Sequence, residues 1–100
     1  MNEYDLELNQ LCISKDNGER NALAIKLLDV SLTDPTKVAE LQRALFKAIE
    51  IHNYQQVGTL VWCAGHFDCS EYKADLRTIV AHAGFEASEL AKNILNELEG

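Results

Sequence analysis

Apolar residues recur at steps of three and four along nearly the whole chain, which is the spacing of one face of an α-helix. The clearest examples are Val38, Leu41, Leu45, Ala48 and Ile49 in the middle, and Ala87, Leu90, Ala91, Ile94, Leu95 and Leu98 near the end. No segment alternates between apolar and polar residues for long enough to predict a β-strand. The pattern predicts six helices in a single all-α domain that covers residues 1–100.

Four short polar or glycine-containing stretches mark the predicted helix boundaries. Asp16-Asn17-Gly18 predicts a turn between the first two helices, because Asn and Gly tolerate positive φ. Asp34-Pro35 predicts the start of the third helix, with the carboxylate as N-cap and proline in the first turn. His52-Asn53 and Ala83-Gly84 separate the later helices. Since these connections are short, neighbouring helices are expected to pack antiparallel.

The chain also resembles itself at a fixed offset. A shift of 31 residues aligns large apolar residues of the third predicted helix with those of the fifth, such as Leu41 with Tyr72 and Leu45 with Leu76. A shift of 36 aligns Ala24 with Leu60. Repeats of about 30 to 40 residues built from paired helices are typical of HEAT-like solenoids. The sequence therefore predicts three antiparallel helical hairpins, arranged as a short HEAT-like solenoid or as a plain six-helix bundle.

The stretch WCAGHFDCSEY, residues 62–72, reads as a helix junction. Asp68 is expected to cap the fifth helix, with Glu71 closing a capping box. Phe67 and Tyr72 have the spacing of a hydrophobic staple around that cap. Gly65 suits a left-handed C-terminal cap of the fourth helix.

The same stretch contains Cys63, His66 and Cys69, spaced C-x-x-H-x-x-C, which raises the alternative of a thiol- or metal-dependent protein. Zinc would need a fourth ligand, and the remaining Cys and His residues match no zinc pattern. Cys69 is expected in the first turn of a helix, where the dipole lowers a thiol pKa, although the neighbouring Asp68 and Glu71 oppose a thiolate. We expect neither a metal nor a cofactor. No nucleophile elbow, phosphate loop or HExxH motif is present, so we expect no enzymatic activity.

The charge composition of the chain limits the classes of molecule that it is expected to bind. The chain carries 16 acidic and 9 basic residues, a formal net charge of −7, and its acids are concentrated in residues 1–36 and 68–100. This balance argues against nucleic acid and against anionic membrane surfaces, which are bound through clustered Lys and Arg. The three cysteines and an acidic N-terminal stretch predict a cytoplasmic protein with free thiols. The acidic surface serves either solubility or the attraction of a basic protein partner. The sequence carries no prediction of the oligomeric state.

The run W-C-A-G-H-F-D-C-S-E-Y, followed by Leu76, Ile79, Val80 and the tetrapeptide F-E-A-S at 85–88, resembles HEAT-like immunity proteins of bacterial toxin systems, including contact-dependent growth inhibition. The similarity covers roughly residues 36–98. It implies a small, cytoplasmic, non-enzymatic protein that binds one cognate toxin domain, often a basic nuclease, and blocks it by stoichiometric occlusion. A generic helical adaptor is the weaker alternative.

If the resemblance holds, the second helix of each hairpin should line the binding surface. The repeat offsets align Glu19, Gln55 and Glu86 in one column, Ala22, Gly58 and Glu89 in a second, and Lys26, Trp62 and Asn93 in a third. The predicted partner-binding residues are Glu19, Gln55, Trp62, Glu86, Glu89 and Asn93. The competing interpretation is that Trp62 fills space between repeats and that the polar positions form an ordinary solvated face.

Overall fold

The computed structural model describes residues 2–100. Its six α-helices are α1 (Glu3–Ile13), α2 (Asn17–Thr33), α3 (Val38–Ile51), α4 (Gly58–Ala64), α5 (Lys73–His82) and α6 (Phe85–Glu99). A single 3₁₀ turn precedes α3 (Pro35–Lys37), and another precedes α5 (Ser70–Tyr72). The described residues contain no β-strand. The predicted all-α class and the predicted number of helices are confirmed.

The predicted separations at His52-Asn53 and Ala83-Gly84 are confirmed, whereas α2 starts earlier than predicted and α3 starts later, after a 3₁₀ turn. Asp34 Oδ1 accepts hydrogen bonds from Thr36 N (3.2 Å) and Thr36 Oγ1 (2.6 Å), so it caps the segment that leads into α3. The predicted turn at Asn17 and Gly18 is instead the first turn of α2. Asp16 explains the difference, because its side chain accepts from Glu19 N at 3.1 Å and starts the helix one residue earlier than the glycine suggested.

The first hairpin, α1–α2, is antiparallel. Lys26 Nζ lies 2.6 Å from Glu7 Oε2, and Gln10 Nε2 donates to Glu19 Oε1 at 3.0 Å. Later residues of α1 therefore contact earlier residues of α2, so the two helices run in opposite directions, as the short connection predicts.

The third hairpin, α5–α6, has the same arrangement. Arg77 Nη2 lies 2.6 Å from Glu99 Oε2, while Ser88 Oγ donates to the carbonyl of Val80 at 3.3 Å. The hydroxyl of Ser88 also lies 3.0 Å from the carbonyl of Ala83, which it helps to satisfy at the C-terminal end of α5.

The first helices of the first two hairpins run parallel to each other. Tyr4 Oη donates to the carbonyl of Lys37 at 3.1 Å where α1 and α3 begin, and His52 Nε2 donates to the carbonyl of Leu11 at 3.2 Å where they end. The parallel pairing of α1 and α3 fits both stacked hairpins and an alternating up-and-down bundle.

The second helices repeat this parallel arrangement. A Cβ placed on Gly58 would meet the Glu86 side chain at 2.5 Å, and one on Gly65 would meet Ile94 Cδ1 at 2.9 Å, so α4 and α6 advance together. At the other side of α4, Asn21 of α2 lines the same cleft as Gly58. The helices α2, α4 and α6 thus form one layer of a stack of three hairpins.

The core lies between the two layers, and α3 supplies much of it. Leu41, Leu45 and Ile49 of this helix are at most 1% exposed. They pack with fully buried residues of every other helix, among them Leu11, Leu27, Leu60, Leu76, Ile79 and Ala91. The packing of the other helices against α3 therefore holds the layer formed by α2, α4 and α6 in place.

Two details of the junction between α4 and α5 differ from the sequence prediction. Gly65 has φ −69° and ψ −9°, which is right-handed rather than the predicted left-handed cap. Asp68 Oδ1 accepts from Ser70 N at 2.9 Å and from Ser70 Oγ, and the residues that follow form a 3₁₀ turn. Because α5 begins only at Lys73, Glu71 does not occupy the third helical position that a capping box requires.

Tyr72 also has a different partner from the one predicted. Its ring stacks on Phe46 of α3, with centroids 4.3 Å apart and planes 9° apart, instead of serving mainly as a staple to Phe67. Both Phe67 and Tyr72 are partly buried against the core. The aromatic stack therefore joins the second and third hairpins.

Within residues 2–100 no helix combines the length and the apolar character that crossing a membrane requires.

Candidate protein-binding surface

The two cysteines of the junction are buried and protonated. Cys63 is 0% exposed and Cys69 is 1% exposed. Burial raises the pKa of the Cys63 thiol to about 11 and also raises the pKa of Cys69. At Cys69 the rise comes first from burial and then from the charge of Asp68, so the lowering by a helix dipole that the sequence suggested does not prevail. Such thiols are poor nucleophiles.

The junction is held by hydrogen bonds that use these groups structurally. Cys69 Sγ donates to the carbonyl of Ala64 at 3.2 Å, and Gln42 Nε2 donates to the carbonyl of Asp68 at 2.9 Å. Within residues 2–100 no three His, Cys, Asp or Glu side chains are grouped as metal ligands would be. The geometry gives Cys63 and Cys69 a place in the packing rather than in a reactive site.

The layer of second helices presents a continuous surface, which we call the second-helix face. It comprises Ile25, Asp29 and Leu32 of α2, Trp62 of α4, His66 in the turn that follows α4, and Glu86, Glu89, Asn93 and Glu97 of α6. All are exposed except Glu89, which is half-buried. The buried positions of the same helices alternate with these at helical spacing, so the face is the solvent side of the layer.

Trp62 lies on the middle helix of this face and is 46% exposed. The His66 ring packs edge-on against the indole, with centroids 4.4 Å apart, and His66 Nδ1 donates to the carbonyl of Trp62 at 3.0 Å. The two contacts hold the His66 ring against one edge of the indole. The rest of the Trp62 side chain is open to solvent.

Apolar residues of α2 extend the surface beside Trp62. Ile25 is 44% exposed and Leu32 is 57% exposed, and their separation of seven residues puts them on one side of the helix. Asn21 of α2 and Gly58 of α4 share a cleft, and α2 and α4 are parallel. Ile25 and Trp62, each four residues further on, are consequently level with each other.

The second-helix face has a net acidic charge, with Lys92 at its edge. Its charged members are Asp29, Glu86, Glu89 and Glu97, and the face as defined includes neither lysine nor arginine. Lys92 pairs with Glu89 at 3.2 Å. The charge of Asp29 contributes to raising the pKa of Cys63, which indicates that this carboxylate lies beside α4. Carboxylates of both neighbouring helices, α2 and α6, thus belong to the same layer as the exposed indole.

Four of the six residues predicted to bind a partner, Trp62, Glu86, Glu89 and Asn93, lie on this face. Glu19 lies instead at the groove between α1 and α2, where it accepts from Gln10. Gln55 lies in the loop between α3 and α4, near His82 of α5.

The offset that aligned Glu19 with Gln55 compares a helical residue with a loop residue, and this accounts for their separation. The loop adopts left-handed backbone at Asn53 (φ 56°), Tyr54 (φ 60°) and Gln56 (φ 53°), a conformation that is unusual for residues other than glycine. It therefore directs Gln55 away from the direction that a helical position would have given it.

The sequence prediction missed Ile25, Asp29, Leu32 and Glu97. The signal that could have found the first three is their spacing, since positions 25, 29 and 32 lie on one side of α2 but outside its buried stripe. Helical spacing groups these positions on one side of α2, and only the packing shows that this side is exposed.

A polar cleft of about 420 Å³ adjoins the second-helix face where α2, α4 and α6 begin. Its lining includes Asn17, Asn21, Gln56 and Glu86. The amide oxygens of Asn17 and Asn21 are buried and have no hydrogen-bond partner among residues 2–100. The cleft therefore adds hydrogen-bonding groups to one edge of the acidic face.

Comparison of the chain with protein-family models, with curated proteins and with solved structures yields no match. The function is consequently argued from the surface itself.

Proposed function

We propose that this chain is an immunity protein that binds a basic toxin domain through the second-helix face and neutralises it by stoichiometric occlusion in the bacterial cytoplasm. The observation that carries the proposal is the exposed indole of Trp62 on the middle helix of a surface with a net acidic charge. The sequence resemblance to HEAT-like immunity proteins supports the same conclusion independently of that geometry.

The indole supplies the binding energy in this proposal. Trp is enriched among the residues that dominate protein–protein binding, particularly near the centre of an interface. Trp62 has that position between Ile25 and Asn93, and the His66 ring lies against one edge of its indole. A pocket on the toxin would enclose the indole, while the surrounding residues exclude water.

In this proposal the carboxylates orient the approaching toxin and increase the rate of association. Asp29, Glu86 and Glu97 have no ion-pair partner among residues 2–100, so their field is available to an approaching basic surface. Complementary charges increase the association rate and suppress wrong partners. A nuclease holds nucleic acid on a basic surface, and an acidic protein seated there excludes the substrate without any chemical step.

Affinity capture with matched variants tests the proposal. The tagged chain, Trp62→Ala and the control Ile51→Ala are each used at low salt on lysate of the cell that encodes the protein, followed by mass spectrometry. Ile51 is 52% exposed, comparable with Trp62, but lies on α3 outside the second-helix face. We expect one basic protein at one-to-one stoichiometry with the parent chain and with Ile51→Ala, released at high salt, and little of it with Trp62→Ala.

The captured protein is then assayed for toxicity and for nuclease activity. The proposal predicts that adding the parent chain at one equivalent abolishes that activity. A captured partner that is acidic, that is not inhibited, or that binds Trp62→Ala as well as the parent chain would refute the proposal.

A further inference from the structure

A second surface lies at the end of the stack, between α1 and α2. This end groove has a volume of about 520 Å³ and is lined by Glu3, Leu6, Glu7 and Gln10 of α1 and by Glu19, Ala22, Leu23 and Lys26 of α2. The other sides of these helices are packed on α3 and α4, which turns the groove away from the second and third hairpins. It is the side on which a stacked hairpin would lie in a longer array.

The floor of the end groove is apolar and accessible. Leu6 is 55% exposed, Ala22 is exposed, and Leu23 is partly buried against the core. In a stack, the terminal unit normally presents a polar outer face, because an apolar one promotes association. An exposed leucine over an apolar floor therefore indicates a surface that another element covers.

The rim of the end groove is acidic. Glu3, Glu7 and Glu19 surround the floor, and the single base, Lys26, is bound to Glu7 at 2.6 Å. That ion pair raises the pKa of Lys26, first through its hydrogen bond to Glu7. Three carboxylates against one ammonium leave the rim with a net charge of about −2, which favours a cationic occupant.

The acidic charge of the rim distinguishes between two possible occupants of the groove, a second copy of the chain and a basic helix. A second copy of the chain, docked through the same groove by a two-fold axis, would place one acidic rim against another. Like charges across an interface disfavour association. An amphipathic helix with an apolar stripe and basic flanks instead places leucine-like side chains on the floor and lysine or arginine beside the carboxylates.

The length of the groove fits a short helix. The lining on α1 extends from Glu3 to Gln10, which corresponds to about 11 Å at 1.5 Å per residue, or roughly two turns. An occupant of this length anchors through apolar residues at positions i, i+3 or i+4, and i+7, which is the usual form of helix-in-groove recognition.

We propose that the end groove is a docking site for a basic amphipathic helix of a protein partner. The site is separate from the second-helix face, since its lining shares no residue with that face. The inference therefore does not depend on the immunity function, and either one can fail while the other stands.

A designed peptide tests the inference directly. The probe is a fluorescein-labelled amphipathic helix of about 14 residues, or four turns, with leucine on one stripe and lysine elsewhere. Its counterpart carries glutamate in place of lysine. We expect the lysine peptide to bind the full chain with an anisotropy change that weakens at higher salt, and the glutamate peptide not to bind.

Variants locate the binding. Leu6→Gln and Glu19→Lys are each expected to weaken binding of the lysine peptide at least tenfold, while Ile51→Gln and Trp62→Ala leave it within twofold. Leu6 is more than half exposed, so its substitution does not threaten the core, and circular dichroism checks that the fold is retained. Failure of the lysine peptide to bind, or equal binding by Leu6→Gln and the parent chain, would overturn the proposal. So would a dimer in sedimentation experiments that Leu6→Gln dissociates, because the occupant would then be a second copy.

Discussion

Trp62 and Cys63 are neighbours in the chain, but one belongs to the surface and the other to the interior. The indole is 46% exposed on the second-helix face, whereas the thiol is 0% exposed. The same stretch continues into a buried seam between the second and third hairpins, formed by Gln42, Phe46, Cys69 and Tyr72. One step along a helix, about 100°, separates a residue suited to binding from one that stabilises the fold.

The two regions treat their polar groups in opposite ways. In the seam, Gln42 donates to the carbonyl of Asp68, and Cys69 donates to the carbonyl of Ala64. On the face, Asp29 and Glu86 form no ion pair among the described residues. Buried polar groups must be satisfied within the molecule, whereas exposed ones remain free to meet a partner. The comparison predicts that substitutions in the seam reduce stability and that substitutions on the face reduce binding.

The largest expected effect is in the seam. Phe46→Ala removes the ring that stacks on Tyr72 and leaves a cavity, so we expect the free energy of unfolding to fall by about 3–5 kcal/mol. Phe46→Leu keeps most of the apolar volume and should cost less than about 2 kcal/mol. Urea unfolding followed by circular dichroism measures both. Equal stability of Phe46→Ala and the parent chain would contradict the assignment of the seam to stability.

The next effect is on the face. Trp62→Ala should weaken binding to the captured partner by about 2–4 kcal/mol, mainly through faster dissociation, because it removes the proposed anchor. The free energy of unfolding should change by about 1 kcal/mol or less, since the side chain is half exposed. Surface plasmon resonance and urea unfolding on the same preparations separate the two quantities. If stability falls more than binding does, the comparison is wrong at this residue.

Alkaline pH provides a third test, confined to the interior. The Cys63 thiol keeps its proton in the folded state up to a pKa of about 11, against an ordinary value of 9.0. Above pH 9.0 the unfolded chain loses this proton while the folded chain retains it, so the free energy of unfolding should decline between pH 9.0 and about 11. Below pH 9.0 this contribution is fully present.

Urea unfolding across that pH range measures the decline. Cys63→Ala should have a shallower slope than the parent chain, although Cys69 and Tyr72, whose pKa values burial also raises, preserve part of it. Identical slopes for the two proteins would rule out the contribution of Cys63. A thiol reagent at neutral pH should react slowly with the folded chain and quickly after unfolding.

The smallest expected effect concerns association with the partner. The double variant Glu86→Lys, Glu89→Lys should slow association roughly tenfold at low salt and flatten its salt dependence, because the steering field is reversed on α6. The control is Glu40→Lys, Glu50→Lys, which changes the net charge equally but on the exposed side of α3. Stopped-flow rates at several salt concentrations distinguish them. Equal slowing by both pairs would show that total charge, and not the second-helix face, governs association.

The local features of the fold were predictable where one interaction dominates. The helix α3 follows from the spacing of Leu41, Leu45 and Ile49, and the 3₁₀ turn that leads into it follows from the carboxylate of Asp34. At Asn17-Gly18 two local signals compete, and the cap at Asp16 prevails over the turn preference of glycine. At Cys69 the prediction of an α-helical first turn fails, because a 3₁₀ turn and a bond to Gln42 of a distant helix fix the backbone there.

The candidate surface was predictable only in part. Trp62, Glu86, Glu89 and Asn93 were found because repeat offsets preserve the relative orientation of helical residues. Glu19 and Gln55 were assigned to the same surface by those offsets, but one faces α1 and the other lies in a loop with left-handed backbone. A repeat offset aligns residues by their place in the repeat. The aligned side chains point to the same side only where both residues are in a helix.

By itself the sequence determined the six helices, their approximate ends and the acidic charge, because hydrophobic spacing, caps and ionisable side chains act within a few residues of one another. The tertiary structure decided that α2, α4 and α6 form one layer, which side of each helix faces water, and that Cys63 and Cys69 are buried while Trp62 is exposed. Those outcomes depend on contacts between residues far apart in the chain, such as Gln42 with Asp68 and Gly65 with Ile94. Helical periodicity states which residues share a side of a helix, and only packing against other helices selects the side that is buried.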